Sequence, residues 1–274
     1  MEIGIVAQRG NARANALAGD VRAALRERDV EVLVDVETGP ELDVDGVPVD
    51  EMADCPMVVS VGGDGTFLYV ARQVGSTPIL GVNLGEVGFL NAVSPAEATE
   101  RVLAEVERIR ETGVPRYREV SRLEATGDGW SVPPAMNEVV VQGPQRGRGH
   151  GPDVEVLVDD APYAVTRADG VLVATPTGST AYNLSESGPL VHPEVAGLVV
   201  NGMAPVEPMR PLVVPLEAEV TVRGDGADQV VVTSDGSERR WIDAPATVSV
   251  GLADEAARIA GPRSDFFRAL EKLE

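Results

Sequence analysis

Five consecutive residues, Gly62-Gly63-Asp64-Gly65-Thr66, have the types and the order that chemistry on an anionic substrate needs. They follow the apolar run Met57 to Val61 and precede Thr66 to Val74, whose spacing predicts a helix. Glycines at such a junction let the backbone approach an anion closely, and a helix start offers N–H groups and a positive dipole end. Asp64 would stand at the carboxyl end of a parallel strand, where ligands of open α/β sheets bind. Helix capping by Asp or Thr accounts for less, because capping does not require two glycines ahead of the Asp. The loop is not a P-loop, and it lacks the third glycine of the G-x-G-x-x-G fingerprint.

A second candidate is Thr175-Pro176-Thr177-Gly178-Ser179-Thr180-Ala181-Tyr182, placed after the apolar strand Gly170 to Ala174. Hydroxyl groups this dense at a strand end can line a polar pocket for ribose, amide or phosphate groups. The plainer reading is that Ser and Thr cap a helix starting near Thr180. The third candidate is Asn137-Glu138 ahead of Val139-Val140-Val141. An amide beside a carboxylate suits recognition of an adenine and a ribose hydroxyl, though the pair alone is a common dipeptide.

Taken together, the three segments resemble, in order and spacing, the NAD kinase family, in which GGDGT, NE and TPTGSTAY occur in this order. The resemblance takes in Val82-Asn83-Leu84-Gly85-Glu86-Val87-Gly88-Phe89-Leu90, Asn183-Leu184-Ser185, Gly188-Pro189-Leu190, Arg210 to Val214 and Ser234-Asp235-Gly236. It ends at Phe266-Phe267 and covers nearly the whole chain from Val58. It implies an N-terminal α/β domain and a C-terminal β-domain. The implied reaction transfers a phosphoryl group from ATP, or in some members polyphosphate, to the 2′-hydroxyl of the adenosine ribose of NAD, with Mg²⁺ or another divalent metal. By the same resemblance Asp64 would accept the proton of that hydroxyl, and Gly62, Gly63, Gly65 and Thr66 would shape the phosphate site. Asn137 and Glu138 would hold the adenosine moiety, with Phe89 an adenine-side wall. Arg148, Arg167 and Asp169 match ligand-contacting positions. Thr180, Ala181, Tyr182 and Ser185 match the nicotinamide- and ribose-side pocket, and Thr177 and Asp235 join the binding set. Ser237 stands where the family often has glutamine, and Ala204 to Met209 lacks a frequent histidine. Two other readings share part of this pattern: a lipid or sphingoid kinase with the same glycine loop, and an inactive dinucleotide-binding paralogue.

Two kinds of element must position these residues. Up to about residue 115, strand-like and helix-like stretches alternate: Glu2–Ala7, Ala12–Glu27, Glu31–Val36, Met57–Val61, Pro78–Val82 and the helix Pro95–Thr112. This alternation predicts a parallel, Rossmann-like sheet in an α/β domain over 1–115. From 116 to 252 short Val- and Thr-rich segments with turns between them predict an all-β, sandwich-like domain. The remainder, 253–274, ends in a helix, Asp265–Leu273, expected to return to the first domain.

The chain has 274 residues and a net charge of −21, from 44 acids against 23 bases, of which only Lys272 is lysine. So acidic a surface repels phosphodiester backbones, so no nucleic-acid partner is expected. A single terminal lysine also excludes Walker A and Schiff-base chemistry. One cysteine, Cys55, and two distant histidines exclude a disulfide and a Cys/His zinc site. No apolar run approaches the roughly 20 residues of a membrane span, and no basic leader is visible, so a soluble cytoplasmic protein is expected. The expected partners are NAD and ATP, with assembly as a homodimer or homotetramer. Arginine-rich, strongly acidic composition resembles that of proteins from salt-accumulating halophiles. Self-repulsion at −21 would be screened at molar salt, where the Debye length is about 3 Å.

Overall fold

The computed structural model describes residues 1–85, 88–145, 147 and 151–271. Its first stretch runs β1 (Glu2–Ala7), α1 (Ala12–Arg26), β2 (Glu31–Val34), β3 (Val58–Val61), α2 (Asp64–Val74), β4 (Ile79–Val82), α3 (Ala98–Thr112) and β5 (Tyr117–Val120). There follow β6 (Leu123–Gly127), β7 (Trp130–Ser131), β8 (Glu138–Gln142), β9 (Asp153–Val158), β10 (Ala161–Arg167) and β11 (Gly170–Ala174). Next come α4 (Tyr182–Ser185), β12 (Gly197–Met203), β13 (Leu212–Pro215), β14 (Val220–Asp225), β15 (Gln229–Ser234), β16 (Ser237–Asp243) and β17 (Ala246–Leu252). The chain finishes with β18 (Ala257–Ala260) and α5 (Phe266–Leu270). It divides into two compact units, Met1–Val120 with Glu255–Glu274, and Ser121–Asp254.

In the first unit the sheet order is β2-β1-β3-β4-β18-β5. The strands from β2 to β18 are parallel neighbours, and β5 closes the edge antiparallel to β18. Helix α1 starts where the Asn11 side chain accepts the N–H groups of Arg13 and Ala14, satisfying donors that a helix start leaves open. Its buried residues Ala14, Ala18, Val21 and Leu25 recur at helical spacing. Those of α3, Val102, Val106 and Ile109, do the same, and Gly113 ends that helix at φ 85°. Both stripes pack on one sheet face, against Ile3, Ile5, Met57, Val59, Leu80 and Val82. Helix α2 contacts β3 and β4 and buries Phe67, Val70 and Val74.

The α/β expectation for this unit holds, with local corrections. Helix α2 begins at Asp64 rather than Thr66, so Asp64 lies in the first helical turn. Pro95–Glu97 is a separate 3-10 turn ahead of α3. The terminal helix covers Phe266–Leu270, and its expected extension to Leu273 runs outside the described residues. The return to the first unit also includes a strand that periodicity does not suggest. β18 enters the sheet through only two registered pairs with β4, Ile259–Ile79 and Ala260–Leu80.

The second unit is built from two antiparallel sheets, β10-β9-β14-β17-β6-β7 and β13-β12-β11-β8-β15-β16. Val154, Val156, Val220, Val222, Val248 and Val250 from the first share a core with Val139, Val141, Val171, Val173, Leu198 and Val200 from the second. The opposite face of the second sheet is also covered, with Val140, Leu172, Val199 and Val191 packed together beside Tyr182. Burial on both faces explains the continuous apolar stretches Val139–Val141 of β8, Gly170–Ala174 of β11 and Leu198–Val200 of β12. Among the described residues no helix is long and apolar enough to cross a membrane.

Candidate active site

The glycine loop owes its shape to contacts that differ from one glycine to the next. Gly62 donates its N–H to the Val82 carbonyl at 2.9 Å. A Cβ on Gly62 would lie 2.5 Å from Thr66 Oγ1, so the first turn of α2 fits only over glycine there. Gly63 caps α2 in extended conformation, and its carbonyl accepts the N–H groups of Thr66 and Phe67. At Gly63 and Gly65 a Cβ would meet nothing within 4 Å. The fold therefore does not demand glycine at these two positions, whereas an anion lying against the backbone would.

Asp64 projects from this turn and is half-buried. Its Oδ1 accepts a hydrogen bond from Asn91 Nδ2 at 3.0 Å. Gly88 faces the same oxygen, and a Cβ there would stand 2.6 Å from it. Gly88 is held in turn by its N–H to the Asn91 carbonyl and by Ser264 Oγ, which donates to the Gly88 carbonyl at 2.7 Å. Phe89 is half-buried beside these residues, its ring 6.0 Å from that of Phe266. Segments far apart in sequence thus meet here: 88–91 reaches the Asp64 carboxylate, and 264–266 braces Gly88 and Phe89. Asn91 is a site residue that the sequence reading misses. The available signal is an amide interrupting the apolar run Phe89-Leu90-Asn91-Ala92-Val93.

In the second unit the other candidate segments meet. Thr175 N–H donates to the Asn137 carbonyl at 2.9 Å, and Thr175 Oγ1 donates to the Met136 carbonyl at 2.6 Å. Gly178 passes so close that a Cβ would collide with the Asn137 carbonyl oxygen. Asp235, in the left-handed region at φ 48°, accepts the N–H groups of Met136, Asn137 and Glu138 at 2.9, 2.7 and 3.2 Å. Its own N–H donates to the Glu138 carbonyl. A carboxylate receiving three backbone donors is a strong local fastening, and it holds this residue in an uncommon conformation. Glu138 is 5% exposed, and its Oε2 is buried without a hydrogen-bond partner. Burial, reinforced by the nearby Asp235 charge, pushes its carboxyl up to about 8, and the Tyr182 N–H opposes this. Near neutral pH the group is therefore largely protonated and can donate as well as accept.

The hydroxyl-rich segment forms a 3-10 turn, Thr177–Thr180, leading into α4. Thr177, Thr180, Ala181 and Tyr182 are half-buried, while Ser185 is exposed. Ser179, not singled out for binding, is the structural member: its Oγ donates to the Pro176 carbonyl and receives the Val191 N–H. Asp169 takes the Gly147 N–H on both carboxylate oxygens at 2.9 Å, one position before Arg148. Arg148 itself lies outside the described residues. Arg167 is exposed on β10 and forms a two-point ion pair with Asp153, 2.9 Å on each arm. Among the described residues no three His, Cys, Asp or Glu side chains are grouped so as to hold a metal ion.

Comparison with known proteins places the chain in a family. The ATP-NAD kinase N-terminal domain matches residues 3–109, and the ATP-NAD kinase C-terminal domain matches 136–260. The chain belongs to the NAD kinase family. Within that family, the NAD kinase of Halobacterium salinarum is 56% identical over 282 aligned positions, covering 100% of both chains. The NAD kinase of Methanosarcina acetivorans is 36% identical over 214 positions, 76% of this chain and 75% of its own. Among solved structures, an NAD kinase from Archaeoglobus fulgidus in complex with ATP superposes with a TM-score of 0.77 at 25% identity, covering 100% of this chain and 97% of that one. Yeast NADH kinase complexed with NADH gives a TM-score of 0.86 at 23% identity, covering 100% and 87%. The halophile-like composition agrees with the high identity to NAD kinases of halophilic archaea.

Proposed function

We propose that this protein transfers the γ-phosphoryl group of ATP to the 2′-hydroxyl of the adenosine ribose of NAD, forming NADP. The observation that carries this reading is the Asp64 carboxylate at the first turn of α2, fixed by Asn91 and flanked by open backbone at Gly63 and Gly65. A ribose hydroxyl is a poor nucleophile at neutral pH, so a carboxylate within hydrogen-bond reach orients it and takes its proton. Phosphoryl transfer is otherwise mostly positioning and charge neutralisation. Backbone N–H groups at the start of α2, together with Thr66, supply the first part of both.

Recognition of NAD falls to the second unit. Asn137 offers its amide to the adenine, and Glu138 offers a carboxyl that can donate to or accept from a ribose hydroxyl. Asp235 shapes that pair by holding the backbone of Met136 to Glu138. Tyr182, Ala181, Thr180 and Ser185 border the nicotinamide and its ribose, with Thr177 in the same turn. Arg148, Arg167 and Asp169 complete the polar contacts, Arg167 after exchanging its Asp153 partner for a ligand.

The Asp64 carboxylate at the glycine loop fits a magnesium ion carried on nucleotide phosphates. Magnesium is commonly bound through one or two carboxylates plus substrate phosphates. When bound it would neutralise charge on the phosphoryl group. Assembly as a homodimer or homotetramer belongs to the same reading and is checked by light scattering in molar KCl.

The deciding experiment supplies purified protein with NAD and ATP in molar KCl and measures NADP with an NADP-specific dehydrogenase. Sustained NADP formation is expected, and replacing ATP by polyphosphate identifies the donor. Absence of NADP from a well-folded preparation, or phosphorylation of diacylglycerol instead, would overturn the proposal.

A further inference from the structure

We propose that Asn91 is a positioning residue for Asp64, setting the orientation in which the carboxylate receives the substrate proton; this role rests on the kinase reading above. Asn91 is 0% exposed and lies 27 positions from Asp64 in sequence, yet its Nδ2 meets Asp64 Oδ1 at 3.0 Å. The amide can face the carboxylate only through its NH₂ group, because an amide oxygen there would repel it. The donor is thus aimed at one carboxylate oxygen and selects one rotamer of Asp64.

The surroundings are shaped for this contact. Asn91 Oδ1 lies over Gly81 of β4, where a Cβ would collide with it. Any larger residue at 81 would displace the amide. Beside the same oxygen, Gly88 leaves room for Asp64 Oδ1 in the same way. The seat has a polar cost: Asn91 Oδ1 is buried with no hydrogen-bond partner, as is Oγ of Ser60, the residue registered opposite Gly81 on β3. A buried amide with one end unsatisfied is disfavoured as mere packing. A valine, close to asparagine in size, would fill the space without that cost. What the amide adds is a charge-assisted hydrogen bond to the carboxylate, which holds the proton acceptor before substrate arrives.

The test is a double-mutant cycle between Asn91→Ala and Asp64→Asn, read by single-turnover and steady-state NADP formation. With Asp64 present, Asn91→Ala is expected to lower kcat about 10- to 100-fold, the worth of a hydrogen bond to a charged group. KM for ATP and for NAD should stay within about twofold, since positioning of the base acts on the chemical step. In the Asp64→Asn background the same substitution should change the residual rate by less than about twofold, because the group it acts through is gone. Asn91→Val, nearer to asparagine in volume, should repeat the kcat loss and serves if the alanine variant does not fold. Equal losses in both backgrounds, or a change in KM with kcat intact, would overturn the role. A wild-type protein that makes no NADP would instead overturn the kinase reading on which it rests.

Discussion

Asp64 stands at the first turn of α2 with open space over Gly63 and Gly65, whereas Glu138 and Asp235 are enclosed by the backbone of 136–138 and by Tyr182. Asp64 is kept beside open backbone, and Glu138 is withdrawn from water, 5% exposed. The contrast follows from the tasks proposed for them. A group that must accept a proton from an incoming hydroxyl needs space and a fixed rotamer. A group that must tell one ligand edge from another gains from burial, where each hydrogen bond is stronger and an unmatched one costs more. An α/β turn provides the first through missing side chains, and a sheet covered on both faces provides the second through missing solvent.

The largest effect is expected from breaking the open region at its centre. Asp64→Asn keeps the shape and removes the proton acceptor, so turnover should fall about 10²- to 10⁴-fold with the melting midpoint little changed. Near wild-type turnover in the folded variant would remove Asp64 from that role.

The enclosed region should show itself in pH dependence. The Glu138 carboxyl sits near 8 in the folded chain against 4.5 when free. Between those values the native state keeps a proton that the unfolded state has released. Its stabilising contribution is therefore complete below pH 4.5 and is lost as pH rises towards 8. The slope is up to about 1.4 kcal/mol per pH unit. Glu138→Gln should flatten that slope in denaturant titrations run in molar KCl from about pH 5 to 9, the window this linkage spans. An unchanged slope would mean that Glu138 is ionised in the native state. Glu138→Ala should also raise KM for NAD far more than KM for ATP, and equal effects would count against its proposed contact.

The smallest effects distinguish glycines required by the fold from those the ligand requires. Gly62→Ala forces a Cβ against Thr66 Oγ1 and should cost about 1–3 kcal/mol of stability. Gly63→Ala meets open space and should leave the melting midpoint unchanged while raising KM for ATP. A destabilised Gly63→Ala with normal KM would reverse the comparison.

Much of this is legible in the sequence, for identifiable reasons. The helix stripes of α1 and α3 and the glycine loop are local patterns, and local patterns survive in a one-dimensional string. The contacts that turn those patterns into a site are not local. Asn91 reaches Asp64 across 27 positions and Asp235 reaches Asn137 across 98, with no period linking either pair. Likewise, no spacing rule pairs Arg167 with Asp153. Two strands escape for different reasons. β16, Ser237-Glu238-Arg239-Arg240-Trp241-Ile242-Asp243, is almost wholly exposed and so lacks the alternation that marks a half-buried strand. β18 is short, and what places it is the gap between β4 and β5, not its own composition.

That placement of β18 has a consequence for how the protein is made. During synthesis the second unit, Ser121–Asp254, leaves the ribosome before the strand that completes the first sheet. Until then β5 has no neighbour to pair with, and β4 presents a bare edge of the kind that invites wrong partners. Closing the sheet means joining segments separated by the whole second unit, although the loop-entropy cost grows only slowly with that length. A β unit that folds early shortens the effective loop by bringing its own ends together, as the Ala253 N–H does in meeting the Arg122 carbonyl. Its rate of folding would then govern how long the nascent α/β unit stays open to aggregation.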